Sequence, residues 1–318
     1  MQVRLWGVRG SLATPISNAQ LMDKARALLA GAVGLDLRDE EAVGRYLAQS
    51  PHAWTHGGNT SCVEVAIDGH VLILDAGTGL RALGQQLMAD GRGAQDHLHL
   101  LLTHFHWDHI CGFPYFPPIY AKGRRLDVWS GRDDAEALLA VQMSSAHFPV
   151  KWTQLPSTIV CTQLHEDRPA AVGPAQVRIL PMIHPDRAYG YRIDHGGRSV
   201  CYLTDTEVSK HPGRVADTYA GFVRGADVVI VDAMYGFLEY HDKVNYGHST
   251  IFNFIDFFKD AEIGELVIFH HDPAAGDPQV AALLGDAVRY RDLIAPSSGF
   301  RLSAAREGQS WILPPRAP

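Results

Sequence analysis

Thr103-His104-Phe105-His106-Trp107-Asp108-His109 follows directly on the apolar run Leu98-His99-Leu100-Leu101-Leu102, and four of its side chains can ligate a metal. A strand ending at Leu102 hands His104 and His106 to one side by period-two alternation, and a turn into a following helix swings Asp108 and His109 towards a second position. Two adjacent divalent ions are therefore expected. Imidazole suits zinc or iron, and a carboxylate among imidazoles leaves the ion electrophilic enough to bind and deprotonate water. A plain run of solvated histidines is the weaker reading, because three His and one Asp at this spacing crowd one another unless a metal holds them.

Working outward, several short runs rich in Val, Ile and Leu terminate in Asp or His: Val71–Leu74 before Asp75, Val177–Ile183 before His184, Val200–Leu203 before Asp205, Val228–Val231 before Asp232 and Leu266–Phe269 before His270. Strands that end together gather function at one edge, where rigid elements hold the loops. The chain also echoes itself. Cys62–Ile67, the turn Asp68-Gly69 and Val71–Leu74 lead to Asp75; Tyr189–Ile193, the turn at Gly196-Gly197 and Ser199–Leu203 lead to Asp205. Both read as hairpins, since Asp-Gly and Gly-Gly supply the positive φ that tight turns require. Two related halves are predicted.

Between Asn18 and Gln49 the pattern changes. Leu21, Ala25, Leu28 and Leu29 recur at helical spacing, and Asp39-Glu40-Glu41 opens a second helix carrying Val43, Tyr46 and Leu47. This two-helix insertion at about 16–50 reads as a lid or dimerisation arm, or as a pair packed on the domain with no part in chemistry. Further helices are predicted at Asp133–Ser145, Ile251–Asp260 and Gln279–Leu293. No low-complexity linker interrupts the chain, so residues 1–318 read as one domain.

With 318 residues, 46% hydrophobic and 20% charged, the composition is that of a soluble globular protein. A formal net charge of −7 gives no overall basic field, which disfavours a long nucleic acid as partner and suits a small substrate. Cys62, Cys111, Cys161 and Cys201 form no C-x-x-C pair, and neither a leader nor a membrane-spanning run is evident, so a reducing cytoplasm is expected.

These residues resemble the metallo-β-lactamase-fold hydrolases, from Val3-Arg4-Leu5-Trp6-Gly7 to His270-His271-Asp272-Pro273. The motif His104-x-His106-x-Asp108-His109, the lone His184, Asp205 and His270 stand in that family's order. Gly247-His248-Ser249-Thr250 and Ala226–Asp232 look most like the branch of tRNA 3′-processing ribonucleases (ribonuclease Z) and small phosphodiesterases. The resemblance implies an α/β fold, an αββα sandwich of two similar halves. It implies that His104, His106 and His184 hold one metal, that Asp108, His109 and His270 hold the other, and that Asp205 bridges both. Asp75 would stand behind the ligands, orienting a histidine. The chain departs from the processing ribonucleases in having no glycine-rich basic insertion like their tRNA-gripping arm. It departs from the antibiotic-hydrolysing members in carrying Asp205 where they place Cys or His.

Two ions that share a hydroxide and neutralise an in-line displacement suit a phosphodiester, whose alkoxide leaving group also needs an acid. His248 is the candidate acid and Asp232 its support, with Asp108 counted both as ligand and as catalytic residue; Ser249 or Thr250 is expected to cap the helix beyond. His271 reads as structural or as a contact to substrate phosphate, and Asn59, in Gly57-Gly58-Asn59-Thr60-Ser61, as a further substrate contact. His56, His147, His165, His195, His211 and His241 lack ligand spacing. The leading expectation is a binuclear phosphodiesterase acting on a small, nucleotide-like and even cyclic diester. A lactone or thioester hydrolase using the same centre is the first alternative, and a metal-containing regulatory or binding protein without turnover the second. Zinc is the first choice of metal, with manganese and iron(II) behind it. The partners expected are a small ester substrate, no membrane, and a second copy of the chain in a homodimer.

Overall fold

The computed structural model describes residues 1–92, 98–210 and 212–316. The reading of His211 as a non-ligand lies outside the described residues. Fourteen named strands and nine named α-helices alternate along the described chain: β1 Gln2–Gly7, α1 Asn18–Gly31, α2 Glu40–Gln49, β2 Cys62–Ile67, β3 His70–Leu74, α3 Gly79–Ala89, β4 Leu98–Leu102, α4 Trp107–Ile110, β5 Arg125–Ser130, α5 Ala135–Gln142, β6 Thr158–Gln163, β7 Ala170–Val172, β8 Ala175–Pro181, β9 Tyr189–His195, β10 Arg198–Leu203, α6 Pro212–Val223, β11 Val228–Asp232, α7 Phe237–His241, α8 Ile251–Phe258, β12 Glu265–Phe269, α9 Asp277–Ile294, β13 Arg301–Ala304 and β14 Ser310–Ile312.

The strands form two sheets, ordered β14-β1-β2-β3-β4-β5-β6 and β13-β12-β11-β10-β9-β8-β7. Each sheet changes from antiparallel to parallel pairing at its hairpin: β2–β3 is antiparallel and β3–β4 parallel, as β9–β10 is antiparallel and β10–β11 parallel. Parallel strands need crossovers and bring their carboxyl ends to one edge. The ends of β3, β4, β10, β11 and β12 therefore deliver Asp75, Thr103–His104, Asp205, Asp232 and His270.

Near-continuous apolar strands are buried on both faces. Leu5, Val63, Leu72 and Leu74 pack between the sheets against Tyr191, Tyr202, Ile230 and Phe269. The outer face of the first sheet is covered by Leu80, Leu83 and Leu87 of α3, and that of the second by Phe254, Ile255 and Phe258 of α8 with Val280 and Ala287 of α9. Each such Val, Leu, Ile or Phe side chain contributes roughly 1.5–3 kcal/mol of burial. This is the four-layer αββα sandwich that the resemblance implies, and the helices predicted near 133–145, 251–260 and 279–293 are present as α5, α8 and α9.

The insertion forms its two helices. Ser17 caps α1 through a reciprocal box with Gln20, and Asp39 caps α2 by accepting from Glu41 and Ala42. Its apolar faces are partly covered: neither helix fully buries a residue, Ala25, Leu28, Val43 and Tyr46 are half-buried, and Leu21, Leu29 and Leu47 are exposed. Contact with the body runs through Lys24, whose Nζ meets the Trp54 carbonyl and the Asp277 carboxylate, each at 2.7 Å.

Candidate metal centre

Strand ends build the site by an unusual backbone device. Asp75, Asp205 and His270 each follow a strand with φ of +61°, +53° and +59°, the left-handed region that Asp and His enter more readily than most residues. The reversal lets the side chain turn back across the sheet edge. Ser11, at φ +57°, does the same from the loop after β1 and donates its N–H to Asp108 Oδ2 at 2.8 Å.

Three groups of donors result. His104, His106 and His184 form one, Asp108, His109, Asp205 and His270 a second, and Asp232, His248 and His270 a third that shares His270; within each group the ligating atoms lie within 4.8 Å of one another. Asp205 reaches towards the first two, with Oδ1 3.8 Å from His104 Nε2 and Oδ2 3.1 Å from His109 Nε2 and 3.4 Å from His270 Nε2. Asp108 Oδ2 stands 3.1 Å from the Nε2 atoms of both His109 and His270.

Hydrogen bonds on the far ring nitrogens fix which atom faces inward. His109 Nδ1 donates to Asp75 Oδ2 at 2.8 Å, and His184 Nδ1 to the Gly247 carbonyl at 3.3 Å. His104 Nδ1 donates to Thr103 Oγ1 at 3.1 Å, while that hydroxyl donates to Asp75. In all three the Nε2 lone pair is left for the interior. His104 Nε2 is buried and has no hydrogen-bond partner. Burial, then neighbouring His109, holds the His104 imidazole well below its ordinary pKa. Around His109 burial is outweighed by Asp108, Asp205 and Asp75, which push its pKa well above the ordinary value: three carboxylates call for positive charge there. A divalent cation meets that demand and satisfies the orphaned Nε2, so the donors fit metal.

Asp75 is saturated. It accepts from Thr103 N at 2.8 Å, from Tyr202 OH at 3.0 Å, and from Thr103 Oγ1 as well as His109. Gly10 and Gly247 mark close approach: a Cβ at Gly10 would lie 2.4 Å from His270 Nδ1, and one at Gly247, whose φ is +88°, 2.4 Å from His184 Nδ1.

Beside the second group, His248 Nδ1 donates to Asp232 Oδ2 at 2.8 Å, and its ring centre lies 5.0 Å from that of His270. Burial opposes the charged imidazole, but Asp232 outweighs it and raises the pKa to about 9. The capping expectation for the following helix is corrected. Thr250 occupies the N-cap, yet its hydroxyl donates to Asn253 Oδ1 at 2.7 Å, and Ser249 Oγ accepts from Val208 N and donates to the Thr206 carbonyl.

His271 and Asn59 are not brought to the donors as free groups. His271 is buried with Nε2 2.8 Å from the Ala305 carbonyl, because consecutive residues leaving a strand face opposite ways. Asn59 is engaged by Glu307, through its N–H at 2.7 Å and its side-chain amide at 3.2 Å. Of the aromatic residues after the motif, Phe113 and Phe116 are core. Sequence reasoning missed Ser11, Thr103 and Tyr202. Thr103 adjoins the motif and was open to notice; Ser11 acts through a backbone N–H and Tyr202 from the opposite sheet, and neither leaves a pattern in sequence.

A family model described as a beta-lactamase superfamily domain matches residues 70–271. A ribonuclease Z from Bradyrhizobium sp. (strain ORS 278) is 24% identical, over 74% of this chain and 92% of that protein. The metallo-beta-lactamase fold protein YhfI from Bacillus subtilis superposes with a TM-score of 0.63 at 17% identity, covering 98% of this chain and 99% of YhfI. A diphosphatase of the PhnP family gives 0.60 at 17% identity, covering 98% of both chains. With a ribonuclease Z among the relatives, the expectation against a long nucleic acid is left without support.

Proposed function

This chain belongs to the beta-lactamase superfamily, with the metallo-β-lactamase fold and a hydrolase's metal-binding His/Asp cluster, and from that premise we propose that it is a phosphodiesterase of small, nucleotide-like diesters. The observation that carries the reading is the His248–Asp232 pair at 2.8 Å beside the donors. A thioester expels a thiolate that needs no strong acid, whereas a phosphodiester expels an alkoxide that does; a lactone also releases an alkoxide, so against lactones the reading rests on the assay below.

We assign His104, His106 and His184 to one divalent ion and Asp108, His109 and His270 to a second, with Asp205 shared; zinc is the first choice for a set of imidazoles and carboxylates. Bound there, such ions activate water and neutralise the charge developing on phosphate oxygens. The chain's own residues do the rest. Asp75 holds the His109 ring from behind, and the Ser11 N–H holds Asp108. His248 keeps its proton at neutral pH because Asp232 stabilises the imidazolium, and gives that proton to the departing oxygen.

Among the described residues no helix is long and apolar enough to cross a membrane, and Cys62, Cys111, Cys161 and Cys201 are free, which supports a cytoplasmic setting. The exposed Leu21, Leu29 and Leu47 support the homodimer reading, which sedimentation of the chain with and without residues 16–50 tests.

The experiment is turnover of bis(p-nitrophenyl) phosphate and of a 2′,3′-cyclic nucleotide by metal-loaded protein, with His248→Ala alongside. Wild-type turnover of both, with the variant losing the cyclic nucleotide selectively, supports the reading. No turnover of either diester by loaded protein overturns it and moves lactones and thioesters to the front. A short RNA in the same assay decides whether longer diesters are accepted.

A further inference from the structure

Glu207 is a buried carboxylate that the mechanism above leaves unused. It is 2% exposed and lies two residues beyond Asp205. Every contact it makes organises a loop. Its Oε1 accepts the Tyr240 hydroxyl at 3.0 Å and the Asn245 N–H at 2.6 Å; its Oε2 accepts the Gly247 N–H at 3.1 Å and faces Lys210 Nζ at 3.3 Å. A carboxylate so occupied has no free oxygen for a metal or substrate. Its own N–H donates to the Ile183 carbonyl at 2.7 Å, which ties the segment after Asp205 to the one that carries His184.

The loop it holds is Asn245–Gly247. Asn245 and Gly247 both have positive φ, +77° and +88°. A non-glycine residue in that region is strained unless its surroundings fix it, and the Asn245 N–H on Glu207 is such a fixture. The same loop is tied to the centre by one contact and by the chain itself. The Gly247 carbonyl takes the His184 Nδ1 proton, and the next residue is His248. Acceptor strength is the point: a charged carboxylate holds backbone N–H groups about twice as strongly as a neutral oxygen.

We propose that Glu207 is the positioning residue for His248, holding through Asn245 and Gly247 the turn that sets the acid's distance to the departing oxygen. The proposal rests on the reading of His248 as that acid. Glu207→Gln keeps the shape but turns an amide NH2 towards N–H donors, so one of the three bonds gives way to a donor–donor clash.

The test measures kcat and KM for a 2′,3′-cyclic nucleotide and for bis(p-nitrophenyl) phosphate, together with bound metal, in Glu207→Gln, His248→Ala and the double variant. Expected, per bound metal because the same loop also holds His184, are a kcat loss of about 10- to 100-fold on the cyclic nucleotide at unchanged KM, a smaller loss on the activated ester, and a double variant no worse than His248→Ala alone. Additive losses in the double variant, or equal losses on both substrates, overturn the positioning role. Tyr240→Phe removes one donor while leaving the backbone contacts, and a smaller loss of the same selectivity is expected should the glutamine variant not fold; equal losses on both esters there overturn the proposal. If His248→Ala retains wild-type turnover, the acid reading fails. Glu207 is then judged by the His248 ring signals in NMR spectra, which must shift in Glu207→Gln for the positioning role to stand.

Discussion

The two hairpins follow one plan and end in different chemistry. β2–β3 ends at Asp75 and β9–β10 at Asp205, each aspartate left-handed and each hairpin followed by a parallel strand. Asp75 faces Thr103, Tyr202 and the outer nitrogen of His109; Asp205 faces the inner nitrogens of His104, His109 and His270. The neighbouring strands diverge too. β4 delivers Thr103 and the histidine motif, while β11 delivers Asp232, which bonds His248. One backbone device thus serves as support in the first half and as direct donor in the second.

Asp205→Asn strikes hardest at that difference. The amide keeps the left-handed turn but loses the shared charge, so turnover falls to background and metal content, read by plasma mass spectrometry, drops. Retained metal and turnover would make the two aspartates equivalent. His248→Ala comes next, with a loss of about 100- to 10,000-fold on a cyclic nucleotide. The pH profile sharpens this: with its pKa raised to about 9, His248 carries the proton below that value, so wild-type turnover of the cyclic nucleotide declines as pH rises through about 9. Asp232→Asn removes the carboxylate that raises the pKa and shifts the decline to lower pH. Asp75→Asn is expected to cost about 10- to 100-fold in metal affinity or activity, the usual range for an outer partner of a ligating histidine. Tyr202→Phe is the smallest: it removes one of several donors to Asp75 and costs about 1 kcal/mol in thermal or urea unfolding, with less than tenfold in turnover.

Much of this was legible because strands buried on both faces read as apolar runs, and their ends are punctuated by Asp or His. Val71–Leu74 before Asp75 and Val200–Leu203 before Asp205 carried the repeat. The amphipathic spacing of Leu21, Ala25, Leu28 and Leu29 carried α1, but spacing reports a face and not what covers it, so the exposure of Leu21 and Leu29 was not foreseen. The contacts that finish the site were beyond reach for a different reason. Ser11 meets Asp108 through a backbone N–H, which every residue possesses, and Tyr202 meets Asp75 across 127 residues of chain. Thr250 takes the N-cap place, yet its hydroxyl donates to the Asn253 side chain and accepts no N–H from the helix start, a choice of partner that residue type does not reveal.

The donors have a mechanical consequence. His104, His106, Asp108 and His109 follow β4 in one sheet, while His184, Asp205 and His270 follow β8, β10 and β12 in the other. A cation gripped from both sides is a rivet through the sandwich. The folded sandwich binds it and the parted sheets do not, so free metal at 100 times its dissociation constant adds about 2.7 kcal/mol to the work of unfolding. The melting temperature then becomes a gauge of occupancy, climbing with each increment of metal and falling back when a chelator draws the rivet.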